Sequence, residues 1–173
     1  MMNKLKEIFK INYTKYKSYI YSVGLIVFII DRFIKYIIMN HLTMLKEYPV
    51  IKNFFSIYYI NNDGAAFSIL QGKTIILVLI SLIMLLLLDR YIGNMKKSNK
   101  LELLSFGLII GGILGNLFDR LIYHYVVDYL LFRFGNYTYP IFNFADSAIV
   151  VGVILLIVDF IRSEVNDSRR KWY

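Results

Sequence analysis

Two aspartates sit where carboxylates are costly. Asp128 lies in Tyr125-Val126-Val127-Asp128-Tyr129, and Asp146 lies in Phe142-Asn143-Phe144-Ala145-Asp146. Two carboxylates that share a site cannot both ionise easily, so one pKa rises and one proton is shared. That is the condition for aspartic hydrolysis, in which one Asp activates water and the other protonates the carbonyl or the leaving group. The alternative is two unrelated acids, one salt-bridged to Arg120 and one capping the helix that follows. Spacing alone leaves both open. The sequence has no cysteine, which excludes disulfides, thiolate metal sites and a cysteine nucleophile. His41 and His124 are the two histidines, and neither belongs to an HExxH motif, so the chain lacks a zinc-protease signature and no metal site is expected.

Other polar residues fall near these two. Asn143 precedes Asp146 by three residues, which puts both on one helical face. Asn116, Asp119 and Arg120 share a face by i,i+3 and i,i+4 spacing. They read either as a polar wall that holds a substrate backbone, or as interhelical hydrogen bonds with an Asp119–Arg120 cluster. Asp31 and Lys35 are spaced for an internal salt bridge, which lowers the burial cost of both. Gly107, Gly111 and Gly115, with Gly112 beside them, form a small-xxx-small pattern that lets helices approach closely. The run from Asn62 through Gly64, Ala65 and Ala66 to Ser68 is a turn before a helix, with room for a ligand beside the Asn62 amide. Glu102, Asp89 and Asp159 read as solvated.

The elements that must position these groups belong to a membrane protein. Of 173 residues, 58% are hydrophobic and 18% charged, and the apolar residues come in long blocks. This excludes a soluble nucleotide-binding enzyme and a DNA-binding module. Four apolar segments, about 19–39, 74–92, 101–118 and 141–161, predict a four-transmembrane-helix bundle. Between the first two, Pro49 to Ile60 predicts a strand ending in a turn. Between the last two, Leu131-Phe132-Arg133-Phe134, Gly135-Asn136 and Tyr137-Thr138-Tyr139-Pro140 predict a hairpin. The expected fold is therefore membrane all-α, with a small extracytoplasmic β platform, in one domain over residues 1–173. Thirteen of the 20 Lys and Arg fall in the N-terminal stem, the connection after the second span and the C-terminal tail. The positive-inside rule then places both termini in the cytoplasm. The net charge of +8 reads as topology and contact with anionic lipid, not as nucleic-acid binding.

Taken together, the motifs resemble the lipoprotein signal peptidase (signal peptidase II) family of bacterial membrane aspartyl proteases. The matching residues are Asp31-x-x-x-Lys35, Asn62-x-Gly64-Ala65-Ala66-Phe67-Ser68, Gly111-Gly112-x-x-Gly115-Asn116-x-x-Asp119-Arg120, Val126-Val127-Asp128 and Phe142-Asn143-x-Ala145-Asp146. The resemblance implies that Asp128 and Asp146 are the catalytic dyad. It implies that Asn62, Gly64, Ala66, Asn116, Arg120, Asn143 and Ala145 line or support the substrate site, with Asp31, Lys35, Gly112 and Asp119 in supporting roles. It further implies diacylglyceryl-modified prolipoproteins as substrates, globomycin-type inhibitors, no cofactor, and a multi-pass protein of the bacterial cell membrane whose site lies near the outer face. A monomer would suffice. One departure is His124, which stands where the family usually has glycine. A left-handed turn there would have to accommodate a side chain. Rival readings are a proton-coupled carrier, for which no inverted repeat is found, and a structural subunit, which would not explain the polar rim.

Overall fold

The computed structural model describes residues 2–64, 69–95 and 98–170, with side chains described for 16–64, 69–95 and 98–165. In chain order they form α1 (Met2–His41), β1 (Glu47–Ile51), β2 (Phe55–Asn62), α2 (Thr74–Gly93), α3 (Lys100–Tyr123), β3 (Val126–Phe134), β4 (Tyr137–Thr138) and α4 (Phe144–Arg170). By length and composition α2, α3 and residues Phe144–Val165 of α4 are long and apolar enough to cross a membrane. The 40 residues of α1 extend about 60 Å at 1.5 Å per residue, but Asp31, Arg32 and Lys35 interrupt its apolar course.

The bundle is organised by α3, which packs on α1, α4 and α2. Its glycines explain the closeness. A Cβ on Gly107 or Gly111 would collide with Val23 or Val27 of α1, and one on Gly112 would strike the Ala145 carbonyl of α4. These pairings run in step along the chain, so α1 and α3 are parallel. The expected small-residue packing of this segment inside the bundle is what the structure shows. By contrast α2 leaves most of its apolar side chains outward, Ile75 at 77% and Leu86 at 67% exposed. That is the surface a helix presents to lipid rather than to water.

The strands form one antiparallel sheet in the order β1-β2-β3-β4. The expected strand from Pro49 to Ile60 is instead a hairpin. Asn53 sits between β1 and β2 at φ 59°, a left-handed conformation that Asn tolerates, and it turns the chain in the middle of a β-rich run. Pro49 is accommodated because β1 is an edge strand. The predicted second hairpin is present, but its first strand starts at Val126, five residues before Leu131. Asp128 is therefore on a strand, opposite Ile60 of β2. Glu47 clips the sheet together, accepting from Arg133 Nη1 and Nη2 and from Ser56 Oγ. Those hydrogen bonds, from Arg133 first, pull its carboxyl down to about 2.

Candidate functional site

Three elements bring the two aspartates together: β3 carries Asp128, α4 carries Asp146, and α3 supplies the amide between them. Asn143 immediately precedes α4 and caps it. Its Oδ1 accepts from the Asp146 backbone N–H at 3.0 Å, and its own N–H donates to Asp146 Oδ2 at 3.2 Å. This is a reciprocal capping box, with Asp146 at the third helical position. The last apolar segment, expected from about 141, becomes helical only at Phe144, and this cap sets that start. Asp146 is in the first turn because Pro140 and the bridge between Leu130 and Phe142 keep the preceding residues extended.

The Asn143 amide then reaches outward. Its Nδ2 donates to Asp128 Oδ1 at 2.7 Å and to Asn116 Oδ1 at 3.0 Å. Asn116 Nδ2 donates to Asp146 Oδ1 at 2.7 Å, and Asn62 Nδ2 donates to Asp128 Oδ2 at 2.7 Å. Each carboxylate is thus held at both oxygens by N–H donors. Asp128 is 2% exposed. Burial, and then the charge of Asp146, push its carboxyl up to about 7, against the pull of the Asn62 and Asn143 hydrogen bonds. A carboxylic acid that keeps its proton near neutrality beside a second carboxylate is the arrangement acid–base hydrolysis requires.

Both aspartates line a cavity of about 630 Å³ with Asn62, Asn116 and Arg120. Its other walls are apolar and aromatic, among them Phe132, Tyr139, Phe142 and Val150. Reasoning from the sequence did not single out these aromatics, although the run Leu131-Phe132-Arg133-Phe134 carried the signal. Arg120 donates to the Gly64 carbonyl at 3.2 Å, and the Gly64 N–H donates to Asn62 Oδ1 at 2.9 Å. Gly64 therefore fixes the chain beside Asn62. Ala145 is fully buried at the contact with Gly112 and Gly115, behind the site rather than on the cavity wall. Ala66 lies outside the described residues.

On the other face of α3 a second cluster is closed. Lys35 Nζ lies 3.1 Å from Asp31 and 2.7 Å from Asp119, as the i,i+4 spacing of Asp31 and Lys35 suggested for the first of these pairs. Arg32 joins them, 2.7 Å from Asp31 and hydrogen-bonded to Asp119. The expected Asp119–Arg120 cluster does not form. Consecutive helical residues are about 100° apart, so Asp119 faces α1 while Arg120 faces the cavity. Arg32 was the missed partner. Asp119 also accepts from the Val127 N–H at 3.2 Å, tying β3 to α3 one residue before Asp128. Lys35 Nζ donates to Asn116 Oδ1 at 3.0 Å, which links the two clusters. The α3 C-cap is His124 at φ 66°, so the left-handed turn expected there is present with a non-glycine side chain.

The sequence that builds this bundle and sheet matches a known family model over most of its length. The model of signal peptidase (SPase) II covers residues 23–162, and the chain belongs to that family of peptidases. Among its relatives, the lipoprotein signal peptidase of Clostridium novyi is 42% identical over 135 residues, 78% of this chain and 91% of that protein. That of Halothermothrix orenii is 42% identical over 139 residues, 80% of this chain and 92% of the relative. A bacterial membrane enzyme solved by the in meso method at 2.3 Å superposes with a TM-score of 0.77 at 33% identity, covering 83% of this chain and 88% of that one.

Proposed function

We propose that this chain is a membrane aspartyl endopeptidase that removes the signal peptide from diacylglyceryl-modified prolipoproteins, cutting before the lipidated cysteine. The observation that carries the reading is the pair Asp128 and Asp146, joined through Asn143 and Asn116 at the wall of an apolar cavity. Family membership supports the substrate class.

In the proposed reaction, the ionised aspartate takes a proton from water, and the water oxygen attacks the scissile carbonyl carbon. The protonated aspartate hydrogen-bonds the carbonyl oxygen and stabilises the charge that forms there. The C–N bond then breaks, and a dyad proton passes to the leaving amine. Asp128, pushed up to about 7, is the member suited to hold the proton at rest. Asn62, Asn116, Arg120 and Asn143 hold the dyad and the peptide. Gly64, Ala66 and Ala145 are assigned to the substrate site by the family resemblance. The sheet covers the site and limits water. The aromatic walls accept acyl chains or signal-peptide side chains. Residues 1–173 act as one domain with four spans, both termini in the cytoplasm and the site near the outer face. A single copy suffices, no cofactor takes part, and globomycin-type peptides compete for the cavity.

The test is cleavage of a lipidated prolipoprotein by the purified protein in detergent, beside Asp128→Asn, Asp146→Asn and the unlipidated substrate. Cleavage of only the lipidated form, by wild type alone, supports the reading. Turnover by either variant overturns the dyad. Binding without cleavage by wild type would move the reading to a carrier.

A further inference from the structure

A second cavity, larger than the one at the dyad, lies at the other end of the bundle. It is an open groove of about 850 Å³ between α2, α3 and α4, with Leu88, Tyr91, Phe106 and Leu156 as apolar walls. It exists because α2 and α4 both lean on α3 and scarcely touch each other. Two carboxylates also line it, Glu102 and Asp159. Both are held in place: Ser98 Oγ donates to Glu102 at 2.9 Å, and Asn99 Nδ2 donates to both oxygens of Asp159 at 2.8 and 2.9 Å. No Lys or Arg lines the groove among the described residues.

The groove is continuous in direction with the dyad cavity. Glu102, Phe106, Ile113, Asn116 and Arg120 recur on one stripe of α3 by steps of three, four and seven, so the first pair and the last pair share a face. The first two line the far groove and the last two the dyad cavity. The 14 residues from Glu102 to Asn116 correspond to about 21 Å of helix. A signal peptide has a basic leading region followed by an apolar stretch of about 7–15 residues, or about 10–22 Å as a helix. With the scissile bond at the dyad, the leading basic residues arrive at the level of Glu102 and Asp159.

We infer that the α2–α4 groove seats the substrate's signal helix over α3, and that Glu102 and Asp159 form ion pairs with its basic leading residues. The inference rests on the proposed peptidase function and adds a second recognition site to it, remote from the cut. Two sites about 20 Å apart would make the enzyme sensitive to the length of the apolar stretch as well as to its charge.

The experiment compares wild type with the Glu102→Gln/Asp159→Asn double variant on two lipidated prolipoproteins. One carries Lys in its leading region and the other carries Gln at the same positions. For the Lys substrate KM should rise about three- to tenfold in the variant, kcat should hold, and the difference should shrink with added salt. For the Gln substrate the two enzymes should match, which also shows that the variant is folded. A Glu102→Lys/Asp159→Lys enzyme should prefer a substrate with Glu in the leading region. Equal KM ratios on the two substrates would overturn the inference. Failure of wild type to cut either substrate would instead refute the peptidase reading.

Discussion

On the α1 side of Asn116, two carboxylates meet two cations. On the α4 side, two carboxylates meet three asparagine amides, while Arg120 makes its hydrogen bond to a backbone carbonyl. Asp31, Arg32, Lys35 and Asp119 cancel one another's charge, and Asp31, Lys35 and Asp119 are at most 1% exposed. Asp128 and Asp146 are held by Asn62, Asn116 and Asn143, with a cavity in front of them. Amide donors fix a carboxylate's position without supplying a full charge to keep it ionised. The first cluster spends most of its hydrogen-bonding groups on itself, with Asp31 Oδ1 and Arg32 Nε left over. The second, in the proposed mechanism, shares a proton between its two carboxyls. Asn116 belongs to both, since its oxygen accepts from Lys35 and its nitrogen donates to Asp146.

The sharpest way to break this contrast is on the open side. Asp128→Asn or Asp146→Asn should lower kcat by roughly a thousandfold or more, the scale of losing an acid–base partner, in a single-turnover cleavage assay. Neither should displace bound substrate.

On the closed side the effect should fall on stability. Asp119→Ala leaves Asp31 as the one carboxylate facing both Arg32 and Lys35, an uncompensated buried positive charge that should cost about 3–5 kcal/mol, read as a lowered midpoint of thermal unfolding in detergent. Asp128→Asn should show the smaller loss in the same measurement. Equal losses would erase the distinction between the clusters.

A subtler change tests the proton itself. Asp128 holds its proton below about pH 7 and loses it above, so kcat/KM should fall as pH rises through that value. The Asn62 hydrogen bond favours the ionised form. Asn62→Ala should therefore shift the alkaline limb upward, by about one pH unit if that bond contributes about 1.4 kcal/mol. A downward shift would contradict the geometry.

The smallest effect belongs to the turn between the clusters. His124→Gly removes the cost of a left-handed side chain, and should stabilise by about 0.5–1 kcal/mol without changing the pH profile. A moved profile would instead give the imidazole a part in the chemistry.

Much of this was legible before any coordinates. The apolar blocks located the helices, the spacing of Gly107 and Gly111 announced close packing, and Asp31 with Lys35 announced an ion pair. What escaped was set by contacts remote in sequence or by single turn residues. Arg32 pairs with Asp119 across 87 positions, and helical spacing along one segment carries no trace of that. Asn53 turns a run whose composition otherwise favours an uninterrupted strand. Asp119 and Arg120, adjacent in sequence, serve different clusters because a helix rotates between them. Asp146 looked like a residue buried in a span; only its bond with Asn143 reveals that it also starts the helix.

The partnership of α1 with Asp119 also sets a timetable for biogenesis. If α1 spans the membrane as proposed, each charge of Asp31, Arg32 and Lys35 would cost about 2.5–3.5 kcal/mol near the centre of the isolated helix. Their missing partner is synthesised 87 residues after Arg32. At about 5–20 residues per second, that is a wait of roughly 4–17 seconds. During it a spanning α1 would be sheltered by the insertion machinery or remain incompletely inserted until α3 arrives. A nascent chain halted before Asp119 should therefore be the form most exposed to quality-control proteolysis.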